Sequence, residues 1–255
     1  MRTARVSVPG VSGVVLVDVA QNAAQLLLGG QTLSIEQARF EPASDGLVYG
    51  VILNDQDAMR SLGTLLTAAP YQAPPRAPAL YIKPYNTHVG HGASVRLPAG
   101  AARVEVLGTL GIVFGAQATR VPEAHALGPV GGFTIVADLT LPHQSLYRPP
   151  IREKGFDGAC PIGPWVVSKE TIADPDGLEV LVSINGAVQQ QRSLRGLVRA
   201  VPRLIADVTA FLTLYPGDVL LAGVPLAGPS AAAGDTVAVE IPGVGRLEAR
   251  IEAAL

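Results

Sequence analysis

The chain predicts a β-dominated α+β fold, and three observations carry that prediction. Short strand-like runs bounded by glycine, proline, asparagine or aspartate recur along most of the 255 residues. Gly 28 and Pro 21 punctuate the chain heavily, while aromatic residues make up only 5%. One stretch alone repeats apolar residues at convincing helical spacing, through Leu197, Val201, Leu204, Ile205, Val208, Phe211 and Leu212. A single long helix among many strands argues against a doubly wound parallel sheet.

Taken in order, residues 4–54 read as short strands (ARVSV, GVVLVDV, QTLSIEQARF, GLVYGVILN) separated by Gly10, Gly13, Gly29-Gly30 and Asp45-Gly46. Residues 55–68 form a candidate short helix. The next twelve, APYQAPPRAPAL (69–80), hold four prolines and fit neither helix nor central strand. A rigid linker here would divide a small N-terminal domain (1–72) from a larger one (73–255). Beyond it, ALYIKP (79–84) is a strand leading into a glycine-rich loop, NTHVGHG. RVEVLGTLGIVFG and FTIVADLTL are long buried strands. LEVLVSING runs into an Asn-Gly turn, a strong hairpin signal. The regular helix begins near Val201, because Pro202 is tolerated only in a first turn. YPGDVLLAGVP returns to strand, and DTVAVEI-PGVG-RLEARIE closes the chain as a hairpin.

Composition removes several functions. Net charge is −2 with no basic block, so the electrostatic footprint of a nucleic-acid binder is absent. The single cysteine, Cys160, forms no internal disulfide and no zinc knuckle, and is expected to be a buried structural thiol. No apolar run reaches the roughly 18 residues that span a membrane. Arg2 and Arg5 precede the apolar run 11–20, but Pro9-Gly10 and Asp18 spoil a signal peptide, so a cytoplasmic location is expected. No P-loop or GxGxxG opens a helix. His88 and His91 lack the helical context of a metal motif and read as loop histidines, and His125 and His143 as surface residues.

Only 16% of residues are charged, yet Asp138, Arg148, Lys154 and Asp157 fall close together in sequence. Asp138 ends an apolar strand beside a polar loop, where a carboxylate can serve as a metal ligand, while Lys154 either neutralises a substrate carboxylate or forms a structural ion pair with Asp138 or Asp157. The run KGFDGACPIGP (154–164) resembles the fumarylacetoacetate hydrolase family. So do IKPYNT (82–87), SING (183–186), LYPGDVLLAGVP (214–225) and the closing GD…GVGRLE, all in the family's order. The resemblance implies a mixed β-sheet roll with few helices. Segments 69–92 and 139–163 further resemble the first half of family members that isomerise and decarboxylate 2-oxo and 2-hydroxy diacids in 4-hydroxyphenylacetate catabolism. This implies a subunit of such an enzyme, as a homo-oligomer or paired with a catalytic second-half subunit. The alternatives are an acylpyruvate-type carbon–carbon hydrolase and a non-catalytic dicarboxylate-binding subunit.

The resemblance also implies Mg²⁺ or Mn²⁺, held in catalytic members by a Glu-x-Glu pair on a strand and a later aspartate. Residues spaced i, i+2 share one strand face, and carboxylates there suit a hard, oxygen-seeking cation. In this chain the pair falls on Leu107 and Thr109. Asp138 alone survives, as a vestigial ligand, with Glu105 the candidate substitute. The histidine and glutamate of the family's lid helix fall on Ala58 and Ser61, the asparagine before the metal aspartate on Ala137, and Gly-Thr-Pro reads Gly223-Val224-Pro225. The expected site is therefore Lys154 and Asp138 as catalytic groups, with Lys83, Arg148 and Gly223 binding substrate.

Overall fold

A computed structural model describes all residues except 22, 24, 70, 71, 144–149 and 255. Six strands come first: β1 (Arg2–Ser7), β2 (Val15–Val19), β3 (Gln25–Leu28), β4 (Gln31–Ser34), β5 (Arg39–Phe40) and β6 (Val48–Ile52). Helix α1 (Gln56–Leu62) precedes β7 (Ala79–Lys83), β8 (His88–Val89) and β9 (Ala93–Arg96). The long strands β10 (Arg103–Phe114) and β11 (Val130–Thr140) are followed by the one-turn helix α2 (Ile151–Lys154) and β12 (Cys160–Ser168). The hairpin β13 (Glu179–Ile184) and β14 (Ala187–Ser193) leads to α3 (Val201–Thr209), and the chain ends with β15 (Val219–Leu221), β16 (Ser230–Ala232), β17 (Thr236–Ile241) and β18 (Gly245–Glu252).

Among the described residues the strands build two sheets. The larger has thirteen strands, with the path β4-β3-β2-β1-β12-β11-β10-β15-β6-β7 and with β5, β8 and β16 attached at its sides. The smaller runs β14-β13-β17-β18-β9. Both mix parallel and antiparallel pairs: β6 runs parallel to β15, and β9 parallel to β18. The β-dominated class and the mixed sheets are as expected. The sheet crosses the boundary placed at 72/73, since β1 pairs with β12 and β6 pairs with β7. Among the described residues no helix is long and apolar enough to cross a membrane.

Local chemistry explains most element ends. Asp55 caps α1 by accepting from the Ala58 N–H, and Gly63, at φ 46°, ends it. The helix expected over 55–68 thus stops at Leu62 and continues only as a 3-10 turn. Pro202 sits in the first turn of α3, where a missing N–H costs nothing. The expected run to Leu212 stops at Thr209, whose carbonyl accepts instead from the Arg120 N–H at 2.7 Å. Asn185 and Gly186, both at positive φ, make the turn between β13 and β14. The Cys-Pro-Ile-Gly-Pro run, which reads as a turn, is the start of β12. Its Cys160 and Pro161 pair in parallel with β8, and Ile162 and Gly163 face β11 across an irregular register.

The core lies between the sheets. Adding a Cβ at Gly108 of β10 would meet Val182 and Val239 of the smaller sheet at 2.8 Å, so this face of β10 is pressed directly onto that sheet. Val104, Val106, Leu110 and Ile112 lie on the same face and are all 0% exposed. The opposite face of the β10–β11 pair covers a smaller apolar cluster that includes Val113, Val136, Cys160, Ile162 and Val219. The charged site lies on that second face.

Candidate functional site

Three elements bring the site together. Alternation along β11 turns Thr134, Val136 and Asp138 to one face, and the strand delivers the Asp138 carboxylate fully buried. Tyr81 and Lys83, spaced i, i+2 on β7, both reach it. Lys154 reaches it from the last position of α2. The Lys83 Nζ donates to Asp138 Oδ1 at 2.8 Å, and the Lys154 Nζ donates to Oδ2 at 2.7 Å. The Tyr81 hydroxyl donates to the same Oδ2. Lys154 also lies 4.9 Å from the Tyr81 ring centroid, in cation–π contact.

These bonds set the electrostatics. Burial alone would raise the Asp138 carboxyl, but the charges and hydrogen bonds of Lys154 and Lys83 outweigh it and hold the group well below the usual carboxylate range. Burial, then the Asp138 charge, pushes the Tyr81 phenol well above its ordinary value. Burial pushes the neighbouring Cys160 thiol up to about 12, so it is an inert core group rather than a nucleophile. Two lysines against one carboxylate leave one positive charge in excess. The Lys83 and Asp138 side chains are 0% exposed and Lys154 is 7%, so only Lys154 has a route to solvent.

The site depends on a glycine. Gly50 of β6 lies directly across from Tyr81, and a Cβ there would fall 1.9 Å from the ring carbon Cζ. The ring therefore rests on the bare backbone of β6, which aims its hydroxyl at Asp138.

Across β11, Leu107 stands opposite Asp138 and Thr109 opposite Val136. Directly paired residues share a sheet face, so Leu107 is the cross-strand neighbour of the aspartate. Leu107 is buried, and a Cβ at Gly228 would lie 2.9 Å from its Cδ2. The Thr109 hydroxyl donates to the Gly223 carbonyl at 2.7 Å. Glu105 stands opposite Thr140, one repeat farther along the same face and half-buried. Among the described residues no three of His, Cys, Asp and Glu converge, and Glu105 lies one strand repeat from the position that faces Asp138.

Other expected residues also sort themselves. Lys83 was expected to bind substrate, but its ammonium donates to Asp138, to the Leu139 carbonyl at 3.3 Å and to the Lys154 carbonyl at 2.6 Å. With all three donors engaged and no exposure, it is a structural counter-ion. The Gly223 carbonyl is likewise taken, by Thr109 and by Arg192 Nη2 at 2.6 Å. Gly223 has φ 147°, and a Cβ there would crowd Leu197 and Asn54, so only glycine suits the position. Arg148 lies outside the described residues. Asp157 accepts from the Asn86 amide on the surface. His88 Nε2 bonds the Lys83 carbonyl, and His91 Nδ1 accepts from the Glu248 N–H, so both are structural. His125 and His143 are exposed. On α1, Ala58 is buried and the Ser61 hydroxyl donates to the Asp57 carbonyl.

Sequence reasoning missed Tyr81 and Arg192. Tyr81 had a usable signal, its i, i+2 spacing from Lys83 on a predicted strand. Arg192 had none, because its partners lie far away in sequence.

Residues 47–252 match the family described as fumarylacetoacetate (FAA) hydrolase C-terminal. The chain belongs to the fumarylacetoacetate hydrolase family. It is 36% identical over 176 residues to the 4-hydroxyphenylacetate degradation bifunctional isomerase/decarboxylase of Salmonella dublin, an alignment covering 68% of this chain and 41% of that protein. The chain thus spans less than half of that relative's length. The crystal structure of 2-hydroxyhepta-2,4-diene-1,7-dioate isomerase from Mycobacterium marinum superimposes with a TM-score of 0.81 at 27% identity, covering 99% of this chain and 98% of that one. Maleylpyruvate hydrolase from Sphingobium sp. SYK-6, solved in complex with manganese(II) ion and pyruvate, shares the fold with a TM-score of 0.79 at 20% identity and full coverage of both chains.

A divalent cation does not fit the described residues around Asp138. Asp138 is already neutralised by two lysines, and both acceptor directions of its Oδ2 are used, by Lys154 and Tyr81. The cross-strand position carries a hydrocarbon side chain, and Thr109 offers only a neutral hydroxyl, oriented by its donation to the Gly223 carbonyl. A hard cation asks for six or more oxygen ligands, several of them anionic. The residues facing one another here supply a single, pre-paired carboxylate.

Proposed function

We propose that this chain is a metal-poor subunit of an isomerase/decarboxylase that handles 2-oxo and 2-hydroxy diacids, such as 2-hydroxyhepta-2,4-diene-1,7-dioate, in aromatic catabolism in the cytoplasm. In this reading it works beside a ligand-complete partner subunit. One observation carries the proposal: Leu107 faces an Asp138 whose charge is already spent on Lys83 and Lys154. The names of the similar proteins support the substrate class.

The geometry gives each residue a task in this reading. Lys83 neutralises Asp138 and anchors the backbone of Leu139 and Lys154. Asp138 and the Tyr81 ring hold the Lys154 ammonium in place. Lys154, carrying the excess charge, pairs with one carboxylate of the diacid through a charge-assisted hydrogen bond. A carbon–carbon hydrolase would need a base to activate water, and neither a buried Ala58 nor a Ser61 hydroxyl bonded to its own helix can act as one.

The test assays purified chain on the diacid substrate, alone and with a ligand-complete family member. Alone, turnover should fall well below the roughly 1 s⁻¹ of a slow ordinary enzyme. Binding of a 2-oxo diacid should persist in EDTA and vanish in Lys154→Met. Ordinary turnover by the chain alone, or binding that requires Mg²⁺, overturns the proposal.

A further inference from the structure

Strand β10 has a gap along the edge away from β11. β16 pairs with residues 103–105 and β15 with residues 111–113, Pro229 and Ala222 extend these contacts to Val106 and Leu110, and the Gly108 stretch lies between them without a strand partner on this edge. The Gly108 carbonyl lies in this gap and needs a donor. Arg192 of β14 fills it. Its Nη2 donates to the Gly108 carbonyl at 3.1 Å and to the Gly223 carbonyl at 2.6 Å, and its Nη1 approaches Asp55 Oδ2, the cap of α1, at 3.5 Å. The side chain is only 11% exposed, and its buried Nε has no acceptor among the described residues. Gln190, on the same face of β14, holds the far end of the loop through the Ala227 carbonyl at 3.3 Å.

We infer that Arg192 is this chain's internal replacement for the family's divalent cation: a fixed positive charge that ties β10, the Gly223 loop and α1 together and keeps a metal out. The inference rests on the metal-poor reading above. Arg192 and Thr109 donate to the same Gly223 carbonyl, so they lie within two hydrogen-bond lengths of each other. A carboxylate at position 109 would lie within reach of this guanidinium, which would compete with a metal for it.

The test titrates Mn²⁺ into the full chain, into Leu107→Glu with Thr109→Glu, and into that double variant with Arg192→Ser. The third protein should bind Mn²⁺ roughly tenfold or more tighter than the second, as expected for removal of a like charge beside a partly buried site. Equal affinity of the two variants overturns this inference alone. Tight stoichiometric binding by the unaltered chain overturns the metal-poor reading, and this inference with it. Single variants cover the case in which the double variant does not fold. In Arg192→Ser, hydrogen exchange should speed up in residues 56–62 and 223–228 and stay unchanged in β17 and β18, with Arg192→Lys in between. Unchanged exchange in those two segments also overturns the inference.

Discussion

The two faces of β10 follow different rules. One face, Val104 to Ile112 in steps of two, meets the smaller sheet in an unbroken apolar contact that Gly108 permits by having no side chain. The other, with Glu105, Leu107 and Thr109, borders the Asp138 cluster, where chemistry rather than packing sets the requirement. The first face tolerates only well-fitting hydrocarbon. The second carries Leu107 and Thr109, and alternation lets it differ without disturbing the packed face, because it separates the two faces mechanically. In the proposed reading, the fold keeps its core and its Lys154–Asp138 frame while the cation-holding residues are free to change.

The largest effect should come from the charged face. Asp138→Asn leaves Lys83 and Lys154 buried without their counter-ion and should cost about 3–5 kcal/mol in urea unfolding at pH 7. A loss below about 1 kcal/mol would mean that the two ammonium groups find other partners. On the core face, Gly108→Ala should cost about 1–3 kcal/mol, since the new methyl group meets Val182 and Val239 at 2.8 Å. If Gly108→Ala proved harmless, the tight contact between the sheets would be wrong.

The pH dependence sharpens the same contrast. Asp138 is depressed in the folded state, so its contribution is complete above the ordinary carboxylate value of about 4 and is lost as pH falls from there toward its native value. The stability gap between the wild type and Asp138→Asn should stay constant from neutral pH down to about pH 4 and narrow below it. For Gly108→Ala the gap should not narrow. A smaller effect still is expected from Ser61→Ala, on the exposed side of α1, which should stay within about 0.5 kcal/mol and leave diacid binding unchanged. Loss of binding there would reopen a catalytic role for the helix.

What the sequence revealed follows the range of the interactions involved. The long β10–β11 pair, the Asn185-Gly186 and 242–244 hairpins and the start of α3 all rest on local periodicity and turn chemistry, and each was legible. The strand β12 was not, because Pro161 and Pro164 read as breakers and its pairing with β8 and β11 is long-range. Of the site, Asp138 and Lys154 were legible as candidates, while the choice between Asp138 and Asp157 as the partner of Lys154 was not. The burial that turns Lys83 from a substrate contact into a counter-ion was not, because it depends on α2 closing over β7 and β11. Arg192 belongs to an edge strand of glutamines and gains its meaning only from the gap between β15 and β16.

The central claim is that this chain holds the family frame without a cation site, and calorimetric titration of the isolated chain with Mn²⁺ or Mg²⁺ tests it most directly. The account predicts no stoichiometric binding stronger than about millimolar, where the free energy is only about 4 kcal/mol. One equivalent bound at micromolar strength, displaced by EDTA and lost in Asp138→Asn, would contradict it.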